Sequence, residues 1–162
     1  MSKQSWDART PCPWYWAFNC NPKVYDIDTA LRAVTDGIIG EDTWKTTQGM
    51  RILPGEQGIV WRTQSSGVWQ GRRGVIALVT VLSEPTRQRT AHPHFYCSAT
   101  EDEAPVFRTR VEYQLTPKLP LLLENQHGYL RDILENLNVN GGQGSSFHLE
   151  SAEWDAIWDA VN

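Results

Sequence analysis

The apolar run Val75-Ile76-Ala77-Leu78-Val79-Thr80-Val81-Leu82, preceded by Gly74 and closed by Ser83-Glu84-Pro85, constrains the fold more than any other stretch. It is β-branched or aliphatic almost throughout, so its side chains lose rotamer freedom in a helix and pack well on a pleated surface. A run of this length and chemistry reads as a central strand, and Gly58 to Thr63 reads as a second. Between them Ser65-Ser66-Gly67 and Gly71-Arg72-Arg73-Gly74 flank Val68-Trp69-Gln70, which predicts an exposed hairpin end.

The remaining elements fall around this pair. Trp14 to Cys20 is rich in β-favouring aromatics and predicts the first strand. Asp26 or Asp28 can cap a short helix carrying Ala30, Leu31 and Val34 on one face, ended by Gly37 and Gly40. Asp42 to Thr47 reads as extended, and Pro54-Gly55 as a turn. Ser83 to Pro105 holds three prolines and four acids with no clear period, which predicts a long loop. Val106 to Leu115 alternates, with Val111, Tyr113 and Leu115 on one side and Arg108, Arg110 and Glu112 on a wet face. Leu121 to Leu137 reads as two helical stretches broken at Gly128, and Asn140 to Ser146 as a flexible glycine loop. Ser151 can cap a last helix whose apolar stripe is Trp154, Ile157, Trp158 and Val161. Strands joined by irregular loops, with short helices outside, predict an α+β fold: a small mixed β-barrel with short peripheral helices and a C-terminal helix. Residues 1–13 are polar, end in Pro11-Cys12-Pro13, and read as a flexible N-terminal arm; residues 14–162 form the domain.

Several function classes lack their chemistry. No phosphate loop, dinucleotide fingerprint or H-E-x-x-H is present, and Gly142-Gln143-Gly144 is only a fragment of a phosphate-binding motif. His92-Pro93-His94 with Cys97 offers no fourth ligand at a typical zinc spacing. Catalysis therefore has no positive support, and no metal or other cofactor is expected. No segment approaches the roughly 18 apolar residues of a membrane-spanning helix. Cys12, Cys20 and Cys97 are odd in number and widely spaced, which predicts a reducing, cytoplasmic setting rather than a disulfide framework.

What remains is a surplus of rings. Eight tryptophans in 162 residues exceed what a core of this size needs. Aromatic faces beside the amides of Asn19 and Asn21 suit a flat, polar, π-rich ligand such as a nucleobase. The net charge of −4 is unevenly spread. Arg62, Arg72, Arg73, Arg87 and Arg89 face only Glu84 between Trp61 and Thr90, whereas Glu150 to Asn162 carries four acids and no base. These are either solvated faces of opposite sign or a basic rim around one site with an acidic helix elsewhere.

The stretch Trp14-Tyr15-Trp16-Ala17-Phe18-Asn19-Cys20-Asn21-Pro22-Lys23-Val24-Tyr25-Asp26-Ile27 resembles the opening of the EVE domain, a PUA-like fold related to YTH readers of methyladenine. The resemblance continues through Asp42-Thr43-Trp44-Lys45-Thr46, Pro54-Gly55-Glu56, Gly58-Ile59-Val60-Trp61-Arg62 and Gly74 to Val79. It closes with Gly144-Ser145-Ser146-Phe147-His148-Leu149 and the helix bearing Glu153-Trp154. It implies a PUA-like mixed barrel similar to the reader modules of modification-dependent restriction systems. Such a module binds duplex DNA and accepts a flipped, modified base in an aromatic pocket. The pocket so implied comprises Trp44 with Lys45 and Thr46, Trp61, a ring from Phe95 or Tyr96, and Asn19 and Asn21 as readers of polarity. Phosphate contacts fall to Arg62, Arg72, Arg73, Arg87 and Arg89, with Gln143, Ser145 and Ser146 in a glycine loop that otherwise reads as a linker. The chain has no recognisable nuclease or GTPase motif, so cleavage is assigned to a separate nuclease or motor protein, or to a missing segment. Two other readings stand beside this one: an RNA-binding PUA-like domain, and a protein-interaction module docking through the acidic C-terminal helix.

Overall fold

The computed structural model describes residues 14–47, 49–63, 67–97, 105–137 and 146–162. Eight strands form one mixed sheet: β1 (Tyr15–Cys20), β2 (Glu41–Lys45), β3 (Gln57–Arg62), β4 (Gly74–Val81), β5 (Thr86–Gln88), β6 (Val106–Gln114), β7 (Leu121–Leu122) and β8 (Ser146–Leu149). The order along the sheet is β2-β6-β4-β3-β1-β8, with β5 pairing β6 and β7 pairing β4. The sheet curls into a half-barrel and, among the described residues, carries three helices, α1 (Ile27–Thr35), α2 (Gly128–Glu135) and α3 (Ser151–Val161). This is the α+β, PUA-like architecture expected from the sequence.

The apolar run places β4 at the centre, between β3 and β6. Both faces of the sheet are covered, which is why β4 is apolar without alternation. One core joins Trp16, Phe18, Val60, Val79, Val81 and Val111 to Ile27 and Ala30 of α1. The other joins Ala17, Ile59, Trp61 and Leu78 to Leu134 of α2 and to Trp154, Ile157 and Val161 of α3. The two-residue period of β1 and β3 thus divides the sequence between two cores. β1 and β3 run parallel with Trp16 opposite Gly58. A Cβ at Gly58 would lie 2.4 Å from the carbonyl oxygen of Trp16, so glycine is what lets the two strands approach.

The curl brings the ends of the sheet together, and a buried carboxylate ties them. Asp42 on β2 accepts hydrogen bonds on one oxygen from the phenols of Tyr25 and Tyr113, each at 2.6 Å. Its other oxygen accepts from the Thr43 amide at 2.7 Å. Tyr25 follows β1 and Tyr113 lies on β6, so this cluster clips β1, β2 and β6 to one another. Burial pushes the Asp42 carboxyl up despite these three donors, and burial with the nearby Asp42 charge pushes both phenols up.

Four local expectations are corrected. The stretch from Ser83 to Pro105 is not structureless: it contains β5, a 3-10 turn at Pro93–Phe95 and a bridge from Tyr96 to Tyr25. Leu121 to Leu137 opens with β7 and a 3-10 turn before α2, because Gly74 and Val75 pair with Leu121 and Leu122. Helix α3 is capped by Glu150 in a reciprocal box with Glu153, and Ser151 is its first residue. Arg108 is fully buried rather than on a wet face. The arm at 1–13 lies outside the described residues.

Gly58→Ala is expected to destabilise the protein by about 1–3 kcal/mol through overpacking, read from its urea midpoint at unchanged m-value. Asp42 gives a pH signature. Its folded pKa is raised, so its contribution to stability is fully present below the unfolded pKa and is lost as pH rises through the folded one. The stability advantage of wild type over Asp42→Asn is therefore expected to shrink as pH rises above the ordinary carboxylate range of about 4 and through the raised folded pKa, measured by denaturant unfolding across a pH series.

Candidate functional site

A cavity of about 290 Å³ opens where the C-terminal end of β1 meets the end of β2. Strand β1 delivers Asn19 and Cys20, the turn after it Asn21, Val24 and Tyr25, and β2 delivers Trp44 and Lys45. Thr63, just past β3, and Tyr96 complete the wall. Strands β1 and β2 are separated by three others along the sheet, so only the curl brings these residues together.

The turn after β1 is built by Asn21. Its side-chain oxygen accepts from the Lys23 amide at 3.0 Å, and its carbonyl accepts from Val24 and Tyr25 at 2.9 and 3.1 Å. This local closure is what an asparagine before a proline does well. The segment carrying Tyr96 is clipped to the same turn, because Cys97 donates its amide to the Val24 carbonyl and Asp26 donates to the Phe95 carbonyl. Thr63 anchors the third side through its amide and hydroxyl, both donating to the Cys20 carbonyl.

Three rings form the aromatic part. Tyr25 packs edge-on against Trp44 at 5.5 Å and against Tyr96 at 4.8 Å between centroids. Since the Tyr25 phenol is held by Asp42, its ring is fixed and props both neighbours. Tyr96 is held a second time: the Arg108 guanidinium donates to its phenol oxygen at 2.9 Å and lies 5.6 Å from its ring centroid.

The polar part is unsatisfied. The indole N–H of Trp44 and the side-chain oxygen of Asn19 are buried without a hydrogen-bond partner. Each such atom costs on the order of 1–3 kcal/mol, so a lone donor and a lone acceptor in one cavity mark a place that a complementary ligand completes. Burial also raises the pKa of the Cys20 thiol, which keeps this wall neutral.

Of the residues singled out in the sequence, Asn19, Asn21, Trp44, Lys45 and Tyr96 meet at this cavity. The others require correction. Trp61 is not a pocket wall: the β1–β3 register sets it beside Ala17 and Ile59 in the α2–α3 core, at 1% exposure. Phe95 is buried in the other core behind Tyr25, and Thr46 is buried outside the lining with its hydroxyl oxygen unpartnered. Arg62 is buried and ion-paired with Asp28 at 2.6 Å while donating to the Arg72 carbonyl, so it is unavailable to phosphate. Ser146 is buried on β8 with its hydroxyl on the Met50 sulfur. Gln143 and Ser145 lie outside the described residues.

Arg72, Arg87 and Arg89 are exposed, and Arg73 is half-buried. Both arginine groups connect to the wall through buried arginines. The Arg72 carbonyl is held by Arg62, which precedes Thr63, and Thr86 of β5 pairs with Arg108, which holds Tyr96.

Two contributors escaped sequence reasoning. Tyr25 sat in the quoted opening stretch, and its position just after the aromatic strand was the available signal. Arg108 gave none, since it shares its alternation with the exposed Arg110 and Glu112. Among the described residues no cluster of side chains is arranged to hold a metal ion, and no helix is long and apolar enough to cross a membrane.

No curated protein matches the chain. Among solved structures it is similar to a hypothetical protein from Leishmania major, with 16% identity, a TM-score of 0.56, and coverage of 90% of this chain and 92% of that one. A Pseudomonas putida protein solved by X-ray crystallography is similar at 16% identity and a TM-score of 0.54, covering 91% of this chain and 99% of that chain. Likeness at such identity speaks for the fold alone. The family match is more specific: the EVE domain covers residues 14–160. This protein belongs to the EVE domain family, whose PUA-like architecture is that of a nucleic-acid-binding module.

Proposed function

We propose that this EVE domain reads a modified base in duplex DNA, taking the flipped base into the cavity between Trp44 and Tyr96, and that it catalyses no reaction itself. The observation that carries this reading is the pairing of an unsatisfied donor, Trp44 Nε1, with an unsatisfied acceptor, Asn19 Oδ1, at an aromatic-walled cavity. Every base edge offers both partners, and every base offers a π-face. The cavity is at the small end for ligand sites, which suits one ring system rather than a long ligand.

The energetics require more than the pocket. Stacking on a ring contributes about 1–3 kcal/mol per base, and flipping costs about a few kcal/mol. Phosphate contacts supply the difference in this reading, from the exposed Arg72, Arg87 and Arg89 with the half-buried Arg73 next to Arg72 in sequence. Preorganisation helps, because Tyr25 and Arg108 already hold the rings and little side-chain entropy remains to be lost. Any cleavage that follows recognition belongs to a separate nuclease or motor protein, and the setting is cytoplasmic.

Trp44 is also part of the core, so Trp44→Phe is the informative substitution: it keeps a ring and deletes the N–H. It and Asn19→Ala are each expected to weaken binding to the preferred modified duplex by about tenfold, or 1.4 kcal/mol, and to leave unmodified duplex nearly unchanged. Fluorescence anisotropy titrations with cytosine, modified cytosines and N6-methyladenine at one position measure this. Equal wild-type affinity for every duplex would sink the proposal, and tighter binding to single-stranded RNA would move it to the 2′-hydroxyl-sensing alternative. Repeating the titrations at two salt concentrations tests the arginines. Arg87→Ala should lower affinity for all duplexes alike and reduce the slope of log K on log salt by about 1.

A further inference from the structure

Arg108 is the most anomalous residue in the molecule. It is fully buried, yet its Nε and Nη2 have no hydrogen-bond partner, and no carboxylate among the described residues pairs with it. Its one side-chain hydrogen bond goes from Nη1 to the Tyr96 phenol oxygen. A guanidinium has only donors to offer, so that phenol oxygen acts as acceptor. The phenol's own proton is therefore left to be donated elsewhere, and no acceptor for it occurs among the described residues. A hydroxyl that accepts from a cation is also polarised into a stronger donor.

This fixes the polarity of the pocket. Two donors await partners on its aromatic walls, the Tyr96 O–H and the Trp44 N–H, against one unpartnered acceptor, Asn19 Oδ1. Lys45 lines the cavity and is the direct register partner of Arg108 across β2 and β6, an opposition of like charges that normally destabilises a sheet. The Asp42 carboxylate shares Trp44's face of β2, but its oxygens are occupied by Tyr25, Tyr113 and the Thr43 amide. A methyl group brought against Tyr96 would leave its O–H unpaired, whereas an oxygen-bearing group would engage it.

We propose that Arg108, acting through Tyr96, is a specificity-determining positioning residue that makes the pocket select a base whose modification carries an oxygen acceptor. The chemical class is a pyrimidine with its 5-methyl carbon oxidised to hydroxymethyl, formyl or carboxyl. This rests on the base-reading function proposed above.

The test measures dissociation constants of wild type, Tyr96→Phe and Arg108→Met. The ligands are one duplex carrying, at a single site, cytosine, 5-methylcytosine, 5-hydroxymethylcytosine, 5-formylcytosine, 5-carboxylcytosine or N6-methyladenine. Wild type is expected to bind at least one oxidised cytosine about tenfold or more tighter than 5-methylcytosine. Tyr96→Phe keeps the ring and removes only the hydroxyl, so it should collapse that ratio towards one. Arg108→Met should move the ratio the same way. Wild-type preference for 5-methylcytosine or N6-methyladenine overturns the inference and leaves base reading intact, as does an unchanged ratio in Tyr96→Phe. Equal binding of all six duplexes by wild type overturns the base-reading function itself, and this inference with it.

Discussion

A buried carboxylate with three donors holds the two ends of this sheet together. Asp42 lies on the first strand of the sheet order, yet its partners Tyr25 and Tyr113 reach it from the far side of the half-barrel and from the adjacent strand. Removing a carboxylate from water is costly, and three short hydrogen bonds are what make the position tolerable. The raised pKa of Asp42 shows that they do not fully compensate. The fold accepts that cost at the one place where the curvature of the sheet is locked.

The pocket inherits its geometry from this lock. Trp44 is two residues from Asp42 and so shares its face of β2, while the ring of Tyr25 touches both Trp44 and Tyr96. A shift of β2 by one residue would turn Trp44 away and bring Thr43 or Lys45 to the same place. The same chain of contacts runs outward through Tyr96 to Arg108 and from there to β5. The rings of the cavity are thereby held by Asp42 and Arg108, which do not line it, acting on Tyr25 and Tyr96, which do.

The architecture was largely legible in the sequence because the central strand is unambiguous. An unbroken β-branched run has one comfortable environment, and the aromatic strand before Asn21-Pro22 has few others. The pocket was legible where local chemistry spoke: Trp44 between polar neighbours and Asn19 beside an aromatic strand both reached it. Trp61 misled because one strand serves two cores, and its side was set by the parallel register with β1, a non-local fact. Arg62 misled for a related reason, since nothing near it in the chain announces Asp28 on helix α1 as its partner. Arg108 was invisible for the deepest reason. An alternating strand with three charged positions reads as wet until the segment before it, here the one carrying Tyr96, folds back over one of them.

The uneven charge of the chain follows from the same division of the sheet. Helix α3, which carries the acidic tail, packs Trp154, Ile157 and Val161 into the core shared with α2. The pocket residues Cys20, Tyr25 and Trp44 belong to the opposite core, with α1. Tryptophan use divides likewise: Trp154 stacks on Tyr15 at 4.8 Å and serves packing, whereas Trp44 keeps an indole N–H in reserve. A net charge of −4 therefore says little about the face that meets a ligand. At physiological ionic strength fields fade over about 8 Å, so under the proposed reading the acidic helix, packed on the other face of the sheet, gives the exposed arginines little opposition at a phosphate backbone.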